Sequence, residues 1–189
     1  GYAVVCVGDY MDRGPQSAEV LDILSQRPDI TCLSGNHEEM LIGFLDRPGT
    51  QGQRWLANGG EETLASFGVK AKDPGRASLY LSQKIGPAKV AWLRNLPTHV
   101  VSGNVAITHA GADPRAPING QARDNFHWGH KDFYRKTRQD GLWVVHGHSI
   151  VAEAKAERGR IAIDTGAYAT GRLTIAFLEQ GQISFTEIV

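Results

Sequence analysis

The chain has 189 residues, enough for one sizeable domain, and its 20 basic side chains balance its 20 acidic ones. A formal charge of zero gives no footprint for nucleic acid or an anionic membrane, and no apolar run approaches bilayer-spanning length. No secretory signal pattern opens the sequence, and both cysteines, Cys6 and Cys32, fall in strand-like runs, so buried free thiols and a cytoplasmic location are expected.

Residues 3–7 (Ala-Val-Val-Cys-Val) read as a fully buried parallel strand. The strand runs into Gly8-Asp9-Tyr10-Met11-Asp12-Arg13-Gly14, and a helix follows over Ser17–Gln26, with Ser17 as a possible cap and Val20, Leu21 and Leu24 on one face. Two carboxylates and a guanidinium in a strand-to-helix turn are poor core material. At the carboxyl edge of an α/β sheet they are suited to hold a metal and an anion. The logic repeats at once: a short strand at 30–33, a polar turn Ser34-Gly35-Asn36-His37-Glu38-Glu39, then a helix carrying Met40, Leu41, Phe44 and Leu45.

Residues 46–97 are expected to form a helical insert, interrupted at Asn58-Gly59-Gly60, with Gly68 as a helix stop and a short helix over Pro87–Asn95. From Thr98 the pattern turns to strand. A hairpin is predicted across Ser102-Gly103-Asn104, and its second strand ends at His109-Ala110-Gly111. A loop-rich stretch follows over 112–140, then a strand at 142–145 ending in His146-Gly147-His148, and hairpins across Arg158-Gly159 and Glu179-Gln180-Gly181. One domain spanning 1–189 is expected, with the 112–140 loops near its active site.

Asp9, Asn36, His109 and His146 or His148 thus each end an apolar strand. Carboxylate, amide oxygen and imidazole together suit divalent Mn, Fe or Zn. Each signal alone has a plainer explanation: Asn36 as turn chemistry, His109 as a structural histidine, the 146/148 pair as adventitious. His37-Glu38 is not a zincin helix, because Leu41 stands where the second histidine would be. What is specific is the joint appearance.

Gly8–Gly14, Gly35-Asn36-His37-Glu38, His109-Ala110-Gly111 and Gly147-His148 resemble, in order, the signature blocks of calcineurin-like metallophosphoesterases, in the bacterial and phage phosphoprotein-phosphatase branch. Trp55–Gly60 and Trp92–Pro97 are similar to the same branch. The resemblance implies an α/β fold, a central mixed β-sandwich flanked by helices. It implies two divalent metal ions, Mn first, with Fe or Zn as alternatives, and hydrolysis of a phosphomonoester by a metal-bridging hydroxide. Asp9 would bridge the metals, and Asn36, His109 and His148 would complete the second. His37 would be the general acid, Asp12 its partner, and Arg13 the phosphate clamp. His146, Asp164 and Tyr168 would stand behind these residues, with Tyr168 expected as a packed aromatic and Asp164 bonded to loop backbone.

Two departures stand out. The family's Gly-Asp-x-His-Gly block, which supplies an Asp and a His to the first metal, is absent, and the fold would lack its first strand. The sequence opens at Gly1, without Met, almost directly in a strand, so that block is expected upstream and only the second metal should bind well here. The branch's Trp-x-Arg clamp reads Trp128-Gly129-His130, which leaves His130, Lys131 or Arg123 for the role. The expected substrate is a phosphorylated protein or a small phosphoester, as for a serine/threonine protein phosphatase. Symmetrical hydrolysis of diadenosine tetraphosphate is the enzymatic alternative, and an inactive phosphatase-like binding module the alternative of another class. Asp12, Arg13 and His37 argue against the last.

Overall fold

The computed structural model describes residues 2–189; Gly1, and the expectation attached to it, lie outside the described residues. Two compact units are present, Gly1–Pro97 and Thr98–Val189.

In the first unit β1 (Val4–Cys6) pairs in parallel with β2 (Ile30–Cys32), in a register that sets Cys6 opposite Cys32. β1 is not fully buried as expected: Val4 is 48% exposed, because among the described residues the strand pairs with β2 alone. Cys6 is accordingly half-buried and Cys32 buried, both as free thiols. Helix α1 (Ser17–Ser25) buries Leu21, the centre of its apolar stripe. Ser17 lies inside α1 rather than capping it, and its Oγ accepts the backbone N–H of Asp12 at 3.1 Å. Helix α2 (Asn36–Asp46) begins earlier than the sequence suggests, so that Asn36 and His37 form its first turn.

The remainder of the unit is helical: α3 (Pro48–Trp55), α4 (Glu61–Ser66), α5 (Pro74–Ile85) and α6 (Pro87–Arg94). A wide turn at Leu56–Gly60 joins α3 to α4, and there Asn58 and Gly59 leave helical geometry. Gly68 stops α4 with a positive φ of 67°. Trp55 is fully buried and stacks on Phe44 at 4.5 Å between ring centroids; Leu33, Leu41, Leu81 and Ile85 are buried as well. Removing so large a side chain as Trp55 would cost about 3–5 kcal/mol.

The second unit is built on a five-stranded mixed sheet in the order β3 (His99–Ser102), β4 (Val105–Thr108), β5 (Trp143–His146), β7 (Arg160–Ala162), β6 (Lys155–Glu157). β5 runs parallel to both β4 and β7, while β3 and β6 close the edges as antiparallel hairpin partners. The central strands are therefore apolar, and Val144 and Ile161 are fully buried. Ala106, Ala112, Ile118, Phe126 and Phe133 pack with Val144. The 112–140 stretch is loop-rich but holds helix α7 (Arg123–Trp128), too short to show a hydrophobic period. A one-turn helix α8 (Ala167–Thr170) precedes the separate hairpin of β8 (Leu173–Glu179) and β9 (Gln182–Ile188). Among the described residues no helix is long and apolar enough to cross a membrane.

Candidate active site

The turn after β1 is held in an unusual conformation. Among the described residues, five other than glycine have positive φ: Asp9 at 62°, Asp12 at 71°, Arg13 at 63°, His148 at 62° and Arg158 at 48°. Four of the five are residues singled out for chemistry. Such geometry costs about 1–3 kcal/mol per residue and persists only where the surroundings over-determine it.

The surroundings of the first turn do so. Glu38, fully buried in α2, reaches back with its carboxylate. Its Oε2 accepts the N–H groups of Asp9 (2.9 Å) and Gly35 (2.7 Å), and its Oε1 accepts that of Tyr10 (2.8 Å). Burial, then the charge of Asp9, push the Glu38 carboxyl up, against the three N–H donors that favour its ionised form. Asp9 Oδ1 accepts the His37 N–H at 3.2 Å, and a Cβ on Gly35 would sit 2.3 Å from that same oxygen, so only glycine fits there.

Asp12 is buried at the centre of a second set of bonds. Its Oδ2 lies 2.7 Å from His37 Nδ1, and the Trp55 indole N–H reaches both carboxylate oxygens at 3.0 and 3.1 Å. The Thr63 hydroxyl donates to Oδ1 at 2.6 Å and accepts the Asp12 N–H at 2.9 Å. For His37, burial opposes the charged form, but the Asp12 hydrogen bond and the Asp9 and Asp12 charges outweigh it, and the ring is more basic than an ordinary histidine. Arg13 donates its backbone N–H to Gly59 O at 3.1 Å, and a Cβ on Gly59 would meet Arg13 N at 2.6 Å. The backbone is thus fixed in a residue that is exposed as a whole.

In the second unit, Nε2 of the buried His109 and Nδ1 of His148 stand 3.2 Å apart. The Gly147 N–H donates to His109 O at 2.8 Å, which ties the two strand ends together. Thr108 Oγ1 accepts the Gly111 N–H at 3.0 Å, and Gly111, at φ 106°, leaves no room for a Cβ, which would lie 2.6 Å from the Phe133 ring. His146 is buried edge-on against Phe133 and Tyr134, with ring centroids at 5.0 and 5.7 Å, and its Nδ1 donates to Gly147 O at 3.1 Å. Burial holds its pKa down to about 4, so the ring is neutral.

A cavity of about 240 Å³ in this unit is lined by Trp128, His130, Lys131, Tyr134, His148 and Ser149. His130 and Lys131, two of the three clamp alternatives, therefore share a cavity with His148, whereas Arg123 does not line it. His130 Nδ1 accepts the Asp132 N–H at 3.2 Å. Asp164 accepts the Gly166 N–H at 2.9 Å, the loop-backbone bond expected of it. Tyr168, on α8, is 55% exposed rather than buried as a packed aromatic would be.

Glu38, Trp55 and Thr63 were not given roles on sequence grounds. The signal for Glu38 was its fixed place in the Gly35–Glu38 block. For Trp55 it was the break at Asn58-Gly59-Gly60 that follows it. Thr63 left none.

A profile of the calcineurin-like phosphoesterase family matches residues 1–164. The chain belongs to that family. It is 43% identical over 58 residues to serine/threonine-protein phosphatase 2 of Escherichia coli K12, a match that spans 31% of this chain and only 25% of that protein. Longer matches at lower identity cover most of both chains. Serine/threonine-protein phosphatase 1 of Salmonella typhimurium is 28% identical, over 93% of this chain and 78% of that one. The asymmetrical bis(5'-nucleosyl)-tetraphosphatase PrpE of Anoxybacillus flavithermus is 27% identical, over 92% and 74%. Among solved structures, the cold-active protein-tyrosine phosphatase of a psychrophilic Shewanella superposes with a TM-score of 0.64 at 17% identity, covering 97% of this chain and 68% of that one. That likeness shows the fold, the α/β architecture expected from the sequence.

Members of this family bind divalent metals, and the donors fit. Two imidazole nitrogens 3.2 Å apart span about the edge of a coordination polyhedron with metal–nitrogen bonds of ~2.0–2.1 Å. In the first unit the Asp9 carboxylate is fixed beside the start of α2, whose first residue is the amide-bearing Asn36.

Proposed function

We propose that this phosphoesterase is a serine/threonine protein phosphatase that hydrolyses phosphomonoesters with divalent metal ions, Mn first. The observation that carries the reading is the buried Asp12–His37 pair at 2.7 Å, braced by Trp55 and Thr63. With Nδ1 committed to Asp12, Nε2 of His37 is the proton-bearing atom turned to a leaving oxygen, and the raised basicity keeps the imidazolium available to donate. The guanidinium fork of Arg13 suits two equatorial phosphoryl oxygens. Bound divalent ions would supply Lewis-acid activation of water and phosphate. The residues offered to them are Asp9 and Asn36 in the first unit and His109 and His148 in the second. His130 takes the clamp position that Arg holds in the branch, with Lys131 beside it in the cavity sequence.

A second reading, asymmetrical cleavage of dinucleoside tetraphosphates, is supported by the similarity to PrpE over 92% of this chain and 74% of that protein. The relatives named are of the asymmetrical type, whereas the alternative drawn from the sequence is symmetrical cleavage; the two share the same metal chemistry and differ in products.

The test is turnover of phosphoserine peptides and of diadenosine tetraphosphate, Mn2+ present, by the wild type and by Asp9→Asn, Asp12→Asn and His37→Asn. Release of inorganic phosphate from peptides, lost in the variants, is the expected result. Equal rates in all four proteins would end the assignment. Preferred conversion of diadenosine tetraphosphate to ATP and AMP would favour the second reading. Metal binding without any turnover would favour a phosphatase-like binding module.

A further inference from the structure

A second charged cavity, of about 590 Å³, lies wholly in the first unit between the loop after α4 and one face of α5. Lys70 and Lys72 line it from the loop. Arg76, Tyr80 and Lys84 line it from α5, four residues apart in succession and therefore on one stripe. The one acid in the lining, Asp73, caps α5 by accepting the Arg76 N–H at 2.9 Å. Among the described residues, none of the four cationic side chains makes an ion pair with another side chain. The chain as a whole is neutral, with exposed ion pairs elsewhere on its surface such as Arg27–Asp29 and Arg94–Asp46. The concentration of unpaired positive charge around one cavity is therefore local.

The placement is also unfavourable for stability. Arg76 stands in the first turn of α5, and Lys70 and Lys72 precede that turn, at the end of a helix where the macrodipole favours anions. Three cations at the positive end of a helix repel both it and one another. An anionic partner relieves that cost. Tyr80, 47% exposed between Arg76 and Lys84, adds a rigid face with a hydrogen-bonding tip.

We propose that this groove docks an acidic segment of a protein substrate, a run of Asp and Glu residues, outside the catalytic residues. The inference rests on the phosphoprotein reading above. Lysine suits such a partner, because a point charge on a flexible stem meets carboxylates of irregular spacing. Four cations in a neutral protein fall short of the broad field expected of a nucleic-acid surface.

The probe is a fluorescein-labelled peptide with six glutamates, its all-glutamine counterpart and a single-stranded oligonucleotide of similar length. Anisotropy is read at low and at raised salt, with the wild-type chain and the Lys70→Glu/Lys72→Glu variant. The glutamate peptide should bind, weaken with salt, and lose about tenfold or more in the variant. In kinetics, the glutamate run appended to a phosphoserine peptide should lower KM several-fold in the wild type and leave it unchanged in the variant. Hydrolysis of p-nitrophenyl phosphate should be the same in both proteins. Equal binding of glutamate and glutamine peptides, equal binding by the variant, or tighter binding of the oligonucleotide would overturn the inference. Because the binding arm needs no turnover, an inactive enzyme would sink the phosphatase reading without deciding this one.

Discussion

The two units hold their candidate site residues in place by different means. In the first, a web of side chains fixes the turn: Glu38 takes three backbone N–H groups, and Asp12 is met by His37, Trp55 and Thr63. In the second, His109 and His148 are tied by a backbone hydrogen bond, Gly147 to His109, beside Gly111, where the Phe133 ring leaves no room for a side chain. A left-handed turn of charged residues, costly by itself, needs polar partners to hold it, whereas a histidine that ends a buried strand inherits its direction from the sheet. The first unit should therefore fail through its hydrogen bonds and the second through its steric fit.

The largest effect is expected at Asp12. Asp12→Asn keeps the shape but removes the charge that raises the basicity of His37, and if His37 acts as the proposed proton donor kcat should fall by about 10²–10⁴-fold with little change in KM. Steady-state kinetics on a phosphoserine peptide checks this. An unchanged kcat would deny the first web its chemical purpose.

Next is Gly111→Ala. The new methyl meets the Phe133 ring at φ 106°, and destabilisation of about 2–4 kcal/mol is expected in urea unfolding. A shift below ~0.5 kcal/mol would show that the second unit gives way easily.

Thr63→Val keeps the volume and removes the hydroxyl that both donates to and accepts from Asp12, at an expected cost of about 1–3 kcal/mol. If the polar web rather than packing holds the turn, kcat falls as well. Loss of stability with full kcat would contradict that.

The smallest effect is at the rim of the second unit. Arg138 binds the carbonyls of Asp113 and Ala116 at 2.8 and 2.9 Å and pairs with Asp140. The Arg138 hydrogen bond, against burial, holds the Asp140 carboxyl below the usual range. A depressed folded-state pKa stabilises above the unfolded value near 4, and the gain disappears as pH falls through the folded value. Asp140→Asn should cost several tenths of a kcal/mol at pH 7, since Asp140 is partly solvent-screened, and the difference should vanish in acid once the folded-state carboxyl is protonated. A difference independent of pH would contradict the ion-pair account.

Much of the candidate site was legible in the sequence, because its residues sit at the ends of short apolar strands. Asp9, Asn36, His109 and His148 could be found by reading where hydrophobic runs stop. The bonds that their partners make could not. Glu38 looks like an ordinary first-turn acid of a helix, and only folding brings its carboxylate to a turn 28 residues upstream. Thr63 reaches Asp12 across 51 residues, and no periodicity encodes such a meeting. Ser17 reads as a cap by local rule, but a tertiary partner, the Asp12 N–H, takes its hydroxyl. The exposure of β1 differs from its apolar sequence for a similar reason: apolar composition gives strand character, while the number of neighbours gives burial.

The proton-donor assignment is tested most directly by the leaving-group dependence of His37→Asn. A p-nitrophenolate departs without a proton, whereas a serine alkoxide needs one. The loss of kcat/KM in the variant should therefore be about tenfold or more greater for a phosphoserine peptide than for p-nitrophenyl phosphate. Equal losses on the two substrates would show that the Asp12–His37 pair serves binding or structure and not proton transfer.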